Sequence, residues 1–243
     1  MEHSVKIFDY CERGLDPSFW AEPLNAITNL GFIVASVLAF WELAARSAGE
    51  SKWFRYLLIA NVFAIGVGSF LFHTYATADT ALADVAPIGL FMLVYLGYAL
   101  YRFVGLPVVV VVPAQMAFAY VIKQAMELEC WSWKLGFSLP ATSFEGRTCM
   151  NGSLGYMPAL AVMLLIGGWL MIRRHPAAKL ILGAAIVFTL SVSLRTMDRV
   201  WCQDVVLFGK AVGVHFLWHI FNSVTLYLLL LAAVRHSVAR KAG

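Results

Sequence analysis

Long apolar segments recur at short intervals along the chain, with only short polar connections between most of them. A helix needs roughly 20 mostly apolar residues to cross a bilayer. Seven segments meet this requirement, near residues 23-44, 56-75, 84-104, 106-125, 156-172, 179-197 and 213-234. The fifth segment is short and the sixth ends in charged residues. The pattern predicts an all-α membrane protein, a bundle of seven transmembrane helices.

Composition supports this fold class. Of the 243 residues, 61% are hydrophobic and 13% are charged, whereas a soluble domain is roughly one quarter charged. A soluble fold is therefore excluded, and the lack of a long polar stretch predicts a single membrane domain over residues 1-243, with residues 1-22 as an acidic N-terminal arm. The net charge of +4 does not indicate nucleic acid, because the basic residues lie at helix ends rather than on one continuous patch.

The basic residues predict the orientation of the bundle, since Lys and Arg are enriched in short cytoplasmic loops. Ten of the eighteen lie on the side of the C-terminus: Arg46, Lys52, Arg55, Arg102, Arg173, Arg174, Lys179, Arg235, Arg240 and Lys241. Twelve of the fourteen acidic residues lie on the opposite side. We therefore expect the N-terminus outside and the C-terminus in the cytoplasm.

All four cysteines fall on the side assigned to the outside. That compartment, a periplasm or an organelle lumen, is oxidising, so disulfides are plausible. Four cysteines allow three pairings. We favour Cys11 with Cys202, which ties the arm to the last hairpin, and Cys130 with Cys149, which closes one loop. Four free, buried thiols are the alternative.

Three histidines lie within or at the edge of the apolar spans, where an ionisable side chain is costly and often functional. His73 lies at the outer end of the second span, and His215 and His219 begin the seventh, four residues apart. That spacing lets two imidazoles on one helix bind one metal. A lone membrane histidine is often only an interhelical contact, but three at one depth match the protein ligands of a catalytic zinc site, whose fourth position is left to water.

Two more polar residues fall at the same depth. Ser69 lies four residues before His73 on the same helix face, so both side chains can reach one site. The alternative is that Ser69 is only a small residue in helix packing. Phe216 follows His215, so this helix lacks the glutamate base of HExxH proteases. Asp84, at the predicted start of the third span, is the best candidate for a general base, and Asp79 is its less buried rival.

An acidic cluster precedes the first span. Asp9, Glu12 and Glu22 form an oxygen-rich group of the kind that suits calcium, or else a solvated arm. The first span then carries three polar side chains on one face, which either brace this cluster or bond neighbouring helices: Asn25, Thr28 and Asn29.

Together these motifs resemble the CREST superfamily of seven-helix membrane hydrolases, which includes alkaline ceramidases and the progestin and adipoQ receptors. The resemblance rests on Ser69-xxx-His73, Asp84 and His215-xxx-His219, and it spans the whole chain in helix count and motif order. The arm, with Asp9-Tyr10-Cys11-Glu12 and Glu22, is similar to the ceramidase branch in particular, since the receptor branch lacks an acidic arm.

The resemblance implies two metal sites. Zinc would be held by His73, His215 and His219, with Ser69 and Asp84 as catalytic residues. Calcium would be held by the arm, through Asp9, Tyr10, Glu12, Gly14 and Glu22. This arm departs from the family pattern, because Gly14 stands where the family has an asparagine and the interval to Glu22 is one residue shorter. A disulfide like Cys11 to Cys202 is also implied.

The implied function is hydrolysis of a membrane lipid amide, such as ceramide, to a sphingoid base and a fatty acid, at an active site towards the outer side. Asp84 would take a proton from water and Ser69 would stabilise the oxyanion. A receptor of the progestin and adipoQ type and a metal or proton transporter are the rival functions. The transporter is disfavoured because a conduction path needs polar residues along its full depth, and the cytoplasmic halves of the spans are apolar, as in Leu226-Tyr227-Leu228-Leu229. A purely structural bundle is the remaining alternative.

Overall fold

The computed structural model describes residues 6–46, 52–128 and 149–236. Seven of its helical segments are long and apolar enough to cross a membrane, which confirms the predicted all-α, seven-span fold class of an integral, multi-pass membrane protein. The helices are α1 (Pro23–Thr28), α2 (Leu30–Ala44), α3 (Trp53–Tyr75), α4 (Ala78–Ala99), α5 (Val108–Glu127), α6 (Met157–Ile172), α7 (Ala178–Met197) and α8 (His215–Arg235). The first span consists of α1 and α2 together, Pro23–Ala44.

The third span begins earlier than residue 84, the predicted start. Helix α4 starts at Ala78 because Thr77 and Thr80 form a reciprocal cap: the Thr77 hydroxyl accepts from the Thr80 backbone N–H, and the Thr80 hydroxyl accepts from that of Thr77. The span then continues through a π-helical turn, Leu100–Val104. Asp84 therefore lies inside the helix, between one and two turns from its start.

The fifth span also begins earlier than predicted. A 3₁₀ segment, Cys149–Tyr156, precedes α6, so that the apolar span runs over Met150–Ile172. Asn151 anchors this segment to the end of α7, since its side-chain amide donates to the backbone carbonyl of Arg195 at 3.1 Å. The remaining span boundaries lie within three residues of the predicted ones.

Small residues let the helices approach closely around the core. A Cβ added at Gly68 on α3 would lie 2.0 Å from the backbone carbonyl oxygen of Ala83 on α4, so these two backbones touch at that point. Alanines line the buried faces of α2, α7 and α8: Ala35, Ala39, Ala184, Ala185, Ala232 and Ala233. Helix α8 is the most buried of the seven spans. Close packing of small residues is the usual way in which membrane helices associate.

A short β-hairpin leads into α8. Strands β1 (Val206–Leu207) and β2 (Lys210–Ala211) pair antiparallel. The Lys210 ammonium donates to the backbone carbonyl of Ala21 at 2.6 Å, so the hairpin is tied to the N-terminal arm. The arm and the start of α8 therefore lie together at one end of the bundle, which we call the arm end.

Candidate metal centre

The three histidines converge inside the arm end. One ring nitrogen from each of His73, His215 and His219 lies within 4.8 Å of the other two. The side chains are at most 1% exposed. Within the described ranges, this is the group of His, Cys, Asp and Glu residues whose ligand atoms meet closely enough to hold a metal ion. Helix α3 supplies one imidazole and the first turns of α8 supply two, as the i, i+4 spacing predicts.

The hydrogen bonds of the imidazoles leave ring nitrogens available for a metal. Nδ1 of His73 bonds to the Glu22 carboxylate at 2.5 Å, and Nδ1 of His219 bonds to the Thr28 hydroxyl at 3.0 Å. That hydroxyl is already placed to donate to the carbonyl of Leu24, so it accepts from His219, and Nε2 of His219 keeps its lone pair. Nε2 of His73 and Nδ1 of His215 are buried with no hydrogen-bond partner among the described residues. Buried nitrogens without partners fit a metal centre.

Ser69 and Asp84 lie beside the histidines, as predicted. Both are buried, at 3% and 8% exposure, and their side chains interact with each other. The backbone contact at Gly68 brings α3 and α4 together one residue from Ser69, which explains why the serine meets Asp84. Asp79 is exposed in the first turn of α4 and lies away from the buried centre. Of the two acids, Asp84 is therefore the one next to the histidines.

Tyr10 packs over the centre from the arm. Its ring is stacked on that of His215, with 3.8 Å between ring centroids, and lies 5.0 Å from that of His73. Burial raises the pKa of Tyr10 well above its usual range, so the phenol stays protonated. The ring thus closes one side of the histidine cluster, a role that no local pattern in the sequence indicates.

Glu22 connects the arm directly to His73. One carboxylate oxygen bonds to Nδ1 of His73 and to the side-chain amide of Asn25, and the other accepts from Nε of Arg13 at 2.5 Å. Burial alone would raise the pKa of Glu22, but its interactions with His73, Asn25 and Arg13 outweigh burial and lower it. A carboxylate behind a ligating histidine fixes its ring and its tautomer.

Glu12 and Asp9, two more of the acids predicted to hold calcium, bond to other donors. The Glu12 carboxylate accepts from the backbone N–H groups of Leu24 and Asn25, both at 2.8 Å, and so caps the start of α1. Burial raises the pKa of Glu12, and these two bonds oppose that shift. Asp9 accepts from the Arg199 guanidinium at its backbone carbonyl and at its carboxylate. Gly14 lies nearby in a left-handed turn, φ +55°. The calcium site itself stays a prediction.

The polar face of the first span braces this network. Thr28 bonds to His219, and Asn25 donates to the Glu22 carboxylate at 3.0 Å. Asn29 donates its side-chain amide to the backbone carbonyl of Asn25 at 2.8 Å. Both predicted roles occur: Asn25 bonds to the acidic cluster at Glu22, and Thr28 bonds to the neighbouring helix α8 at His219.

Asp198 joins the arm to the histidine helix. Its carboxylate accepts from the backbone N–H groups of Val214 and His215, both at 2.8 Å, and from that of Cys11 at 3.1 Å. A Cβ at Gly213, where φ is +62°, would lie 2.3 Å from this carboxylate, so glycine is required there. Burial raises the pKa of Asp198 in spite of the three hydrogen bonds. In the sequence this aspartate marks only the end of a span.

Arg195 is a second neighbour of the centre that the sequence does not single out. Its guanidinium donates to the Ser153 hydroxyl at 3.1 Å and lies 5.3 Å from the Tyr156 ring centroid. It also interacts with the Asp84 carboxylate and the Tyr10 phenol. An arginine inside an apolar span is a sequence signal for a functional residue. Arg195 lies near the end of α7, so the sequence alone suggests only the boundary of the span.

A disulfide closes the arm over the last hairpin. Cys11 and Cys202, 191 positions apart in the sequence, are bonded with a Cα–Cα distance of 5.5 Å, which confirms the first predicted pairing. The second predicted pair, Cys130 with Cys149, lies outside the described residues. Cys130 falls in the range that the structure does not describe, and only the backbone of Cys149 is described.

Fold and site together define a class: a seven-span membrane protein with a buried three-histidine centre beside a serine and an aspartate. The family model described as Ceramidase matches residues 4–242, nearly the whole chain. The chain belongs to the ceramidase family. A search of curated proteins gave no match. The family match supports a hydrolase that acts on lipid amides within the membrane, and it gives no support to the receptor or the transporter.

Proposed function

We propose that the protein is a zinc-dependent hydrolase that cleaves ceramide to a sphingoid base and a free fatty acid. The observation that carries this proposal is the convergence of His73, His215 and His219, whose ligand atoms lie within 4.8 Å of one another, in a chain of the ceramidase family. Three imidazoles are a typical ligand set for catalytic zinc. A zinc ion held there would act as a Lewis acid towards the amide carbonyl and would lower the pKa of water.

We propose that Asp84 is the general acid–base group and that Ser69 stabilises the oxyanion. The Asp84 carboxylate takes the proton of the attacking water and returns it to the nitrogen of the leaving amine. The Ser69 hydroxyl donates a hydrogen bond to the oxygen that becomes negatively charged. Both side chains are buried, so these interactions act in a medium of low dielectric constant, where they are stronger than in water.

An apolar cavity lies one helical turn further into the bundle than Ser69 and Asp84. Its volume is about 70 Å³. Each helix with a catalytic side chain lines it one turn further in: Ile65 precedes Ser69 by four residues, and Ile88 follows Asp84 by four. Phe91, Phe118 and Met163 extend the apolar wall. The apolar lining suits the hydrocarbon of an acyl chain, which supports a lipid amide over a water-soluble one.

We further propose that the active site opens towards the non-cytoplasmic side. The support is the charge asymmetry of the loops, since basic residues are concentrated at the end opposite to the histidines. The disulfide between Cys11 and Cys202 at the arm end fits an oxidising compartment.

The direct test is release of sphingoid base from ceramide by the protein purified in detergent, with zinc measured in the same sample. We expect one zinc per chain, loss of activity on removal of the metal, and recovery with added zinc. An active protein without bound metal would contradict the zinc proposal. A zinc-loaded protein that hydrolyses other N-acyl lipids but not ceramide would contradict the substrate.

The role of Asp84 is tested with Asp84→Asn. We expect zinc to be retained and the turnover number to fall by about 10²–10⁴-fold, the usual contribution of a general acid–base group. Asp79→Asn, at the exposed aspartate on the same helix, serves as the matched control and should keep its activity. Full activity of Asp84→Asn would remove this residue from the mechanism.

A further inference from the structure

Arg13 is fully enclosed by the acidic arm. Its side chain has 0% exposure, although it lies outside the membrane-spanning helices. A buried guanidinium is costly unless each of its five N–H groups finds an acceptor. The guanidinium makes five hydrogen bonds, to the Glu22 carboxylate and to the backbone carbonyls of Asp16, Ser18, His73 and Thr74. Its donors are therefore all used within the arm and the end of α3.

The oxygens around Arg13 are those that a bound cation would need. One carboxylate and four carbonyl oxygens surround a single positive charge, and calcium prefers carboxylate and backbone carbonyl ligands of this kind. The oxygen that Arg13 uses belongs to Glu22, one of the acids expected to hold calcium. The charge that this carboxylate requires is thus supplied by the chain itself.

The other two acids expected to hold calcium, Glu12 and Asp9, are engaged as well. Both oxygens of Glu12 accept backbone N–H groups of α1. Asp9 is bonded to Arg199 at its carbonyl and its carboxylate. A calcium ion would have to displace two arginines and uncap a helix before it reached these oxygens. The residues of the arm therefore do not fit calcium.

We propose that Arg13 takes the place of a calcium ion, so that the arm of this ceramidase folds around an internal cation and does not require the metal. Arg13 acts as a positioning residue: it holds Glu22, whose other oxygen bonds to Nδ1 of His73, and it binds the carbonyl of His73 itself. The inference does not depend on the proposed reaction, because it concerns the charge balance of the arm.

The first experiment measures calcium content and the melting temperature of the wild-type protein with excess calcium, magnesium or EGTA. A ligand at about a hundred times its Kd raises the Tm by several degrees. We expect no stoichiometric calcium, and equal Tm values under the three conditions. One calcium per chain, or a Tm that falls with EGTA and is restored by calcium but not by magnesium, would overturn the proposal. Neither readout requires ceramide hydrolysis.

The second experiment compares Arg13→Gln with Arg13→Lys. The glutamine variant loses the charge, leaves Glu22 buried without its cation, and should lower the Tm by about 6–12 °C, together with zinc affinity. The lysine variant keeps a point charge and should recover part of both losses. Arg46→Gln, which removes an exposed arginine at the other end of the bundle, is the matched control and should leave both unchanged. A glutamine variant with the wild-type Tm and zinc affinity would overturn the role of Arg13. If that variant does not fold, the wild-type calcium measurements and the lysine variant still decide.

Discussion

The two ends of the bundle differ in the burial of ionisable side chains: several meet inside the arm end, whereas Arg55 is the buried one among the described residues of the far end. At the arm end, charged or titratable side chains lie buried in direct contact with one another: Arg13, Glu22, His73, His215 and His219. At the far end, the ion pair of Glu42 with Arg235 is at the surface, with both side chains more than one fifth exposed. A network of buried charges does not assist folding in a membrane. Its concentration at one end therefore supports the proposal that the active site lies there.

The layer between the two ends is held in a third way. The hydroxyls of Tyr95 and Tyr98 donate to the backbone carbonyls of Leu229 and Ala233 on α8, each at 3.0 Å. Such neutral hydrogen bonds stabilise helix packing without introducing charge. If the arm end serves catalysis and the rest of the bundle serves folding, substitutions at the arm end should reduce activity and metal affinity. Substitutions elsewhere should change stability alone.

The largest effect is expected at the metal ligands. His219→Ala should lose bound zinc and lower ceramide hydrolysis by at least about a thousandfold, because the metal contributes several kcal/mol of transition-state stabilisation. Metal analysis and a product assay on the same sample check this. His175→Ala, a histidine at the far end, should keep both. A zinc-loaded, active His219→Ala protein would contradict the centre described above.

Gly68→Ala tests the contact that positions Ser69 and Asp84. The added Cβ would meet the Ala83 carbonyl oxygen at 2.0 Å, so α4 must move. A displacement of about 1 Å at a catalytic group costs about 100-fold in rate, and overpacking costs about 1–3 kcal/mol of stability. Steady-state kinetics and thermal unfolding measure the two effects. Gly89→Ala on α4, where the new methyl group has open space, should be neutral in both assays.

Glu22→Gln should weaken zinc binding by about 10–100-fold, the usual cost of removing a carboxylate behind a ligating histidine. Competition with a metal chelator of known affinity provides the measurement. The same substitution at Glu42 removes a surface carboxylate from its arginine pairs and should change stability by no more than about 1 kcal/mol, with zinc affinity intact. Equal zinc affinities of the two variants would contradict the proposed difference between the two ends.

Removal of the disulfide should affect stability more than chemistry. The double variant Cys11→Ser, Cys202→Ser opens a link between residues 191 positions apart, and loss of a native disulfide typically costs about 2–5 kcal/mol. Thermal unfolding should show this loss, while zinc content at low temperature stays at one ion per chain. An unchanged Tm would show that the hydrogen bonds of Asp198 hold the arm without the covalent link.

The smallest effect is expected in the middle layer. Tyr98→Phe removes one buried hydrogen bond to Ala233 and should cost about 1 kcal/mol. Thermal unfolding checks the loss, and ceramide hydrolysis should remain within twofold of the wild-type rate. A large drop in activity would show that the catalytic network extends further into the bundle than the arm end.

The sequence predicted those features that depend on periodicity and hydropathy. The seven spans are runs of apolar residues, and His215 and His219 follow from helical spacing alone. The meeting of His73 with this pair needed the further premise that all three lie at one depth, which the helix orientation supplies. The predicted start of the third span, residue 84, was wrong. Helix α4 begins at Ala78 because Thr77 and Thr80 cap it, and hydropathy does not reveal such a cap.

Long-range partners could not be predicted. Asp198 bonds to Cys11 from 187 residues away, and Tyr10 stacks on His215 across the whole chain. Arg13 looked like an ordinary charge in a polar arm, because nothing local indicates that four backbone carbonyls and a glutamate enclose it. Burial of a polar group is a property of tertiary structure, so the arm looked like a metal site when only its own acids were considered.

The bond between Thr28 and His219 has a consequence for the timing of synthesis and assembly. These residues are 191 positions apart, and a ribosome adding about 5–20 residues per second needs roughly 10–40 s to synthesise that stretch. During this interval the first span is already made but the last helix is not, so Thr28 lacks His219 and Cys11 lacks Cys202. With the proposed zinc centre, lipid cleavage starts only when the final span, which carries His215 and His219, has entered the membrane.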